Sequence, residues 1–280
     1  MLKRALYRYK KNLVGMVSLV ILICILLAGL LGPSINRALG GHDPNLVELG
    51  DKLLKPSSKY LLGTDDLGRD LLARLLDGAQ VSIALALMTA VIALLIGGIL
   101  GLVAGFCGGW IDDVIMTFTS ALLSIPNIFL LILLSTVLQP STAGLSVLIA
   151  VLSWMRVAKM VRGAAMACKE REYITAARSL GASPIRILFK HVLPNITPTL
   201  IVASYLTIAD VLLRESALSY LGLGVQLPAA SWGSMLKNSM TYIFTAPHLM
   251  LPPGVAIFLT VLSIYMIGDT LRDAFDPRMF

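Results

Sequence analysis

Charge is what this sequence has least of. Asp, Glu, Lys and Arg together make up 14% of 280 residues, while 57% are hydrophobic and the mean hydropathy is +0.83. A soluble globular chain carries roughly a quarter charged residues, so an ordinary soluble domain is excluded. Strict apolar–polar alternation is also missing, and with it the pattern of a transmembrane β-barrel. The three cysteines, Cys24, Cys107 and Cys168, are widely spaced and form no metal or disulfide pattern. His42, His191 and His248 lie far apart with no partner at helical spacing, so no metal site is assigned. The chain holds no Gly-x-x-x-x-Gly-Lys-Ser/Thr phosphate loop, so it encodes no nucleotide site of that kind. No paired catalytic constellation is present either, which leaves an intramembrane enzyme without support.

What the chain does have is long apolar runs. They cover about Leu13–Leu31, Val81–Phe106, Val114–Leu138, Ala143–Val161, Pro198–Leu223 and Leu249–Leu271. A helix rising 1.5 Å per residue needs about 20 apolar residues to cross the hydrocarbon. Backbone groups in lipid must be satisfied internally, so uninterrupted runs of this length are helices. The expectation is an all-α membrane protein with six transmembrane helices. The first run is longer than a signal-peptide core and ends Leu-Leu-Gly-Pro, which favours an uncleaved anchor.

The net charge of +7 belongs to topology rather than to nucleic acid, because the basic residues flank the apolar runs. Lys3, Arg4, Arg8, Lys10 and Lys11 precede the first run; Arg156 to Lys190, Arg272 and Arg278 fall on the same side if every run crosses once. The region from Arg37 to Arg74 mixes its basic residues with Asp43, Glu48, Asp51, Asp65, Asp66 and Asp70. This asymmetry predicts both termini in the cytoplasm. It divides the chain into a first helix with its cytoplasmic lead (1–35), an external cap (36–78) and a five-helix core (79–280) with a cytoplasmic loop at 162–196. Within the cap, Leu67 to Leu76 reads as a short surface helix. Residues 224–248 read by default as a second external loop.

The cytoplasmic loop is the most informative segment. Cys168 to Leu180 predicts a helix with Tyr173, Ala177 and Leu180 toward one side and small Ala176 and Ala177 permitting close approach. Gly181 supplies a C-terminal stop because glycine tolerates positive φ. Ser183 and Pro184 cap and open a second short helix, which Pro194 and Pro198 end. A helix–glycine–helix knob suits a groove on a protein partner. Lying flat on anionic lipid suits it equally.

Inside the spans, Asp210, Arg214 and Glu215 are the obvious charges, and Asp210 and Arg214 share a helix face. Such residues face a wet cavity or a bundle interior. A polar lining for a charged substrate and a pair that fixes helix register are both compatible with this placement, the second being preferred. Gly97, Gly101 and Gly105 permit close helix contact. The twelve methionines are scattered among apolar neighbours as gap fillers.

Four strings carry a resemblance: Leu62-Gly63-Thr64-Asp65-Asp66-Leu67-Gly68-Arg69-Asp70; the loop from Glu172 to Asn195; Glu215 to Gly224 followed by Ser231-Trp232-Gly233; and Gly268 to Arg278. In this order, nearly end to end, they resemble the second permease subunit of dipeptide, oligopeptide and nickel ABC importers. Thr175 stands where the generic importer loop has Glu and His191 where it has a branched apolar residue; both variants are familiar in the peptide/nickel branch. Gln80, Thr117 and Ser120 depart from residues often charged there, with no assigned consequence.

The resemblance implies a type I ABC importer permease fold working by alternating access. It implies two separate ATP-binding subunits that hold ATP and Mg, so that no cofactor binds this chain. A sister permease forming a heterodimer and an extracytoplasmic substrate-binding protein complete the assembly in a bacterial or archaeal cytoplasmic membrane. Carried onto this sequence, the ATPase-coupling loop comprises Glu172, Tyr173, Ala176, Ala177, Gly181, Ala182, Ser183 and Pro194. Short peptides are the preferred cargo, with nickel or a metal chelate the alternative. A self-sufficient secondary transporter would need inverted repeats or paired broken helices, and no convincing pair is present.

Overall fold

A computed structural model describes residues 2–275, with side chains from Tyr7 to Ala274. The side chains of Lys3 and Arg4, and Asp276, Pro277 and Arg278 of the C-terminal string, lie outside the described residues. Helices form nearly all the regular structure: α1 (Leu2–Lys11), α2 (Leu13–Leu30), α3 (Gly32–Ala38), α4 (Leu71–Cys107), α5 (Gly109–Leu123), α6 (Asn127–Leu138), α7 (Thr142–Lys169), α8 (Glu172–Ser179), α9 (Pro184–Ile187), α10 (Leu193–Tyr220), α11 (Trp232–Met240) and α12 (Leu251–Phe275). Among the described residues, five helices are long and apolar enough to cross a membrane, or six if α5 and α6 count as one bent span.

That bend departs from the single helix expected over Val114–Leu138. The axes of α5 and α6 meet at 78°. Pro126 brings no N–H and biases Ile125 away from helical backbone, so the ladder breaks at Ser124–Pro126. Nor does the segment Leu67–Leu76 make a surface helix of its own. Asp70 caps α4, its Oδ1 accepting from the N–H of Leu72 at 2.8 Å and of Ala73 at 3.2 Å, and the helix runs unbroken from Leu71 for 37 residues. At 1.5 Å per residue that is about 55 Å, longer than the hydrocarbon is thick, so its first turns belong to the cap.

The core is the seam between α4 and α7. A Cβ on Gly97 would fall 2.4 Å from Trp154 O, on Gly101 2.4 Å from Ala158 O, and on Gly105 2.6 Å from Arg162 O. Three glycines one turn apart therefore bring the helix backbones together, where dispersion replaces the hydrophobic drive that lipid does not supply. At one end of the bundle, the cap end, residues 41–70 lie over the helices. His248 Nε2 meets Leu54 O at 3.1 Å there, and Tyr60 is buried beneath the cap surface. At the opposite end, the loop end, Arg162 holds both carboxylate oxygens of Asp112 and thereby ties α5 to α7.

The second loop, 224–248, is not simply exposed. Trp232 is buried, its Nε1–H donates to Leu75 O at 3.1 Å, and Ser231 and Ser234 cap each other's backbone to start α11 against α10 and α4.

Candidate functional site

At the loop end the chain leaves α7 and builds two short helices before α10. The glycine stop is present as anticipated: Gly181 has φ +78°, its N–H donates to Arg178 O at 3.0 Å, and Ala182 N–H donates to Ala177 O at 3.1 Å. Both otherwise orphaned carbonyls are thereby satisfied. Nothing lies within 4 Å of a Cβ built on Gly181, so only backbone strain, about 1–2 kcal/mol, selects glycine there. Ser183 Oγ accepts from Arg186 N–H at 3.4 Å, and Pro184 opens α9.

Two local expectations are corrected. The inward anchor of α8 is Ile174, fully buried among Val161, Ala165, Ile187, Val192 and Ile196, whereas Leu180 is 87% exposed and Tyr173 half exposed. Glu170 and Arg171 separate α7 from α8, which shifts the helical register from the one expected for a single Cys168–Leu180 helix. Pro194 does not end the second helix. Leu188–Val192 form a π turn just before Pro194, Pro198 lies inside α10 without ending it either, and helix continues from Pro184 to Tyr220.

The result is a projecting knob with an apolar crown. Leu180, Ile185 (70%) and Phe189 (62%) stand in solvent, with Arg178, Arg186 and Lys190 exposed around them. Ile185 and Phe189 are four apart on a helix, a spacing that could have disclosed them in the sequence. Glu172, Ala176, Gly181 and Ser183 share this exposed surface, while Ala177 and Ala182 sit half-buried at the elbow. Tyr173 leans back instead: its hydroxyl meets Cys168 Sγ at 3.2 Å, and burial first, then that contact, push the phenol up to about 12. Behind it a cavity of about 550 Å³ opens between Cys168, Arg171, Asn195, Thr199 and Arg272.

The charges within the spans separate into two constellations. Glu215 is fully buried; its Oε1 accepts from Ser219 Oγ at 2.7 Å, and Oε2 lies 3.5 Å from Ser82 Oγ. Ser82 in turn accepts from Trp232 N–H at 3.2 Å, and Ser219 from Val225 N–H at 3.0 Å. This carboxylate therefore joins α4, α10 and α11 and faces no open surface of the chain, which fits a structural role rather than a pathway lining. Asp210 and Arg214 do pair, Nε to Oδ2 at 2.7 Å, and a third residue joins them: Arg156 Nη1 lies 3.5 Å from Asp210 Oδ1. Arg156 lies within the apolar run Ala143–Val161, five residues from its loop end.

Residues 97–280 match the family model of the binding-protein-dependent transport system inner membrane component, and residues 1–56 match that of the N-terminal transmembrane domain of oligopeptide transport permease C. The oligopeptide transport system permease protein OppC of Bacillus subtilis is 36% identical over 277 residues, covering 99% of this chain and 90% of the relative. The di/tripeptide transport system permease protein DppC of Pseudomonas aeruginosa is 38% identical, covering 93% and 86%. Among solved structures, the MetNI methionine ABC transporter in an inward-facing conformation superposes with a TM-score of 0.61 at 21% identity, over 72% of this chain and 97% of that one. That likeness is one of fold, the type I importer permease.

Proposed function

The chain belongs to the family of binding-protein-dependent transport inner membrane components, the permease subunits of ATP-driven importers, and we propose that its cargo is a short peptide. The relatives named for oligopeptides and di/tripeptides over nearly the whole chain support that cargo. The observation that carries the mechanism is the knob of α8 and α9. It is anchored by Ile174 and Ile187, presents Leu180, Ile185 and Phe189 outward, and is continuous through the π turn with α10.

In this reading the knob seats in a groove on an ATP-binding subunit, one of two in the assembly. Those subunits hold ATP and Mg, and this chain performs no chemistry. Their closure pushes on a lever with little slack, because Pro184 to Tyr220 is one helical body. The push reaches the spans as a rocking of α10 against α7. A sister permease covers the other half of the pathway. An extracytoplasmic binding protein delivers cargo at the cap end, and both termini lie with the knob in the cytoplasm of a prokaryotic cell. The exposed apolar faces of α5 and α6, with Trp110, Phe118, Phe129 and Leu133 outward, are consistent with a membrane-embedded partner.

The test is ATP-dependent uptake into proteoliposomes holding the chain with its sister permease, ATPase subunits and binding protein, offered labelled di- to pentapeptides or nickel. Peptide uptake abolished by knob substitutions supports the reading. Nickel uptake alone would retain the importer and overturn the cargo.

A further inference from the structure

Arg156 poses a physical problem. α7 has 28 residues, about 42 Å of helix, and Arg156 lies 14 residues from its start, about 21 Å along. Its side chain is 61% exposed on the chain's surface. It stands inside the apolar run Ala143–Val161, five residues from its loop end, where a guanidinium facing hydrocarbon is costly. The face carrying it therefore looks onto water or onto another polar group.

Charge bookkeeping narrows the choice. Asp210 is the carboxylate within reach of Arg156, and its closer partner is Arg214, whose side chain is 12% exposed against 34% for Asp210. The 3.5 Å approach of Arg156 Nη1 is an ion pair beyond normal charge-assisted hydrogen-bond length. Two guanidiniums share one carboxylate, so the constellation holds one surplus positive charge. Glu215, one residue beyond Arg214, is committed to serines and faces the other way. A cavity of about 200 Å³ opens beside the exposed edge of Arg156, its wall mostly apolar, with Ser153, Thr207, Asp210 and Tyr265 among its lining. Sites for whole drug-sized ligands run to roughly 300–1,000 Å³, so this one accommodates the end of an extended molecule rather than the whole.

We propose that Arg156 forms the carboxylate-binding site of the translocation pathway, with Asp210 as its exchangeable counter-ion and Arg214 as the residue that holds Asp210 in place. The site takes the free α-carboxylate of a peptide, and to that extent it rests on the peptide reading above. With cargo absent, Asp210 holds Arg156 loosely. Cargo offers the planar, bidentate partner that a guanidinium prefers, and Arg156 exchanges one carboxylate for another. Such exchange keeps binding shallow, because the incoming anion displaces an existing one rather than meeting a bare charge.

The experiment uses the assembled transporter in lipid nanodiscs without the binding protein, so that the permease alone discriminates. Binding of a tripeptide labelled at its N-terminus is compared with that of its C-terminal amide, on the wild type, Arg156→Gln and Arg156→Lys, with subunit composition checked by gel filtration. The expected result is a preference for the free acid of about tenfold or more, which is about 1.4 kcal/mol at that constant. Arg156→Gln should erase it and Arg156→Lys keep part of it. Equal binding of acid and amide by the wild type, or a preference that survives Arg156→Gln, overturns the site. So does loss of the sister permease from either variant, which makes Arg156 a subunit contact. A wild-type complex that imports no peptide in proteoliposomes instead defeats the peptide reading itself. One that imports peptides without distinguishing acid from amide leaves that reading standing and removes the site.

Discussion

The two ends of this molecule are built on opposite plans. At the cap end most polar groups are turned inward and paired, Asp66 Oδ1 and Arg74 Nη2 being buried exceptions: Glu215 with its serines, Asp65 with Arg69 at 2.7 Å, Asp70 with the start of α4, and Trp232 sealed against Leu75. At the loop end apolar groups are turned outward and left bare, with Leu180, Ile185 and Phe189 standing off a knob anchored by two isoleucines. A buried, satisfied network resists deformation because each unmet partner is costly. An exposed apolar crown is stable only in company. The cap end is thus a self-sufficient platform and the loop end half of an interface.

The contrast is sharpest if it can be broken at one end without disturbing the other. Glu215→Ala should have the largest effect on the chain itself. It removes the acceptor of the Ser82 and Ser219 hydroxyl protons and should lower stability by about 1–3 kcal/mol, read as a fall in unfolding temperature in detergent, whereas the exposed-crown variants leave that temperature unchanged. If the alanine variant melts like wild type, the cap end is not held by this carboxylate. The double variant Ile185→Ser, Phe189→Ser should shift the chain's stability by no more than about 0.5 kcal/mol, as exposed substitutions do. It should nonetheless abolish co-purification of the ATP-binding subunits; retention of those subunits would move the contact elsewhere.

Gly181→Asp lies between these extremes. Left-handed backbone costs a non-glycine residue about 1–2 kcal/mol, so the elbow should distort locally while the spans stay folded. ATP hydrolysis should then continue with transport reduced at least severalfold, a rise in ATP consumed per peptide. Wild-type coupling would remove Gly181 from the lever.

The smallest effect belongs to pH, at the cap alone. Hydrogen bonds from Lys59 and then Tyr60 hold the Asp51 carboxyl below its usual range, so its contribution is present above the unfolded value of about 3.9 and is lost as pH falls through the depressed folded value. Asp66 behaves oppositely. Burial, then Asp65, raises its carboxyl, so the folded cap binds that proton more tightly and gains as pH falls through the raised value. Protease resistance of residues 41–70 in proteoliposomes should pass through a shallow maximum in mildly acid solution. Asp66→Asn should flatten its neutral side and Asp51→Asn its acid side, with no change at the knob.

The spans were legible in the sequence because their signal is additive: 18 or more apolar residues in a row overwhelm any local ambiguity. The elbow was legible for a different reason, since Gly181 and Ser183–Pro184 each satisfy a local backbone requirement. What escaped was whatever depended on register or partnership. Cys168 to Leu180 is not one helix because two residues of turn intervene after α7, and Ile174 is the residue that packs inward. Pro194 fails to stop a helix because a π turn precedes it. Arg156 looked like a flanking charge because its partner Asp210 is 54 positions away in the chain.

Composition and apolar run length alone determined that this chain lies in a membrane as helices. Local backbone chemistry alone determined where its knob bends. Only the tertiary structure decided that Glu215 is a strut while Asp210 is open, that α5 and α6 meet at an angle, and that an arginine stands with surplus charge beside a cavity. The physical reason is that lipid fixes the fate of a segment by its own hydrophobicity, one segment at a time. The fate of a buried charge is fixed by its neighbours, which folding brings together from α4, α7, α10 and α11.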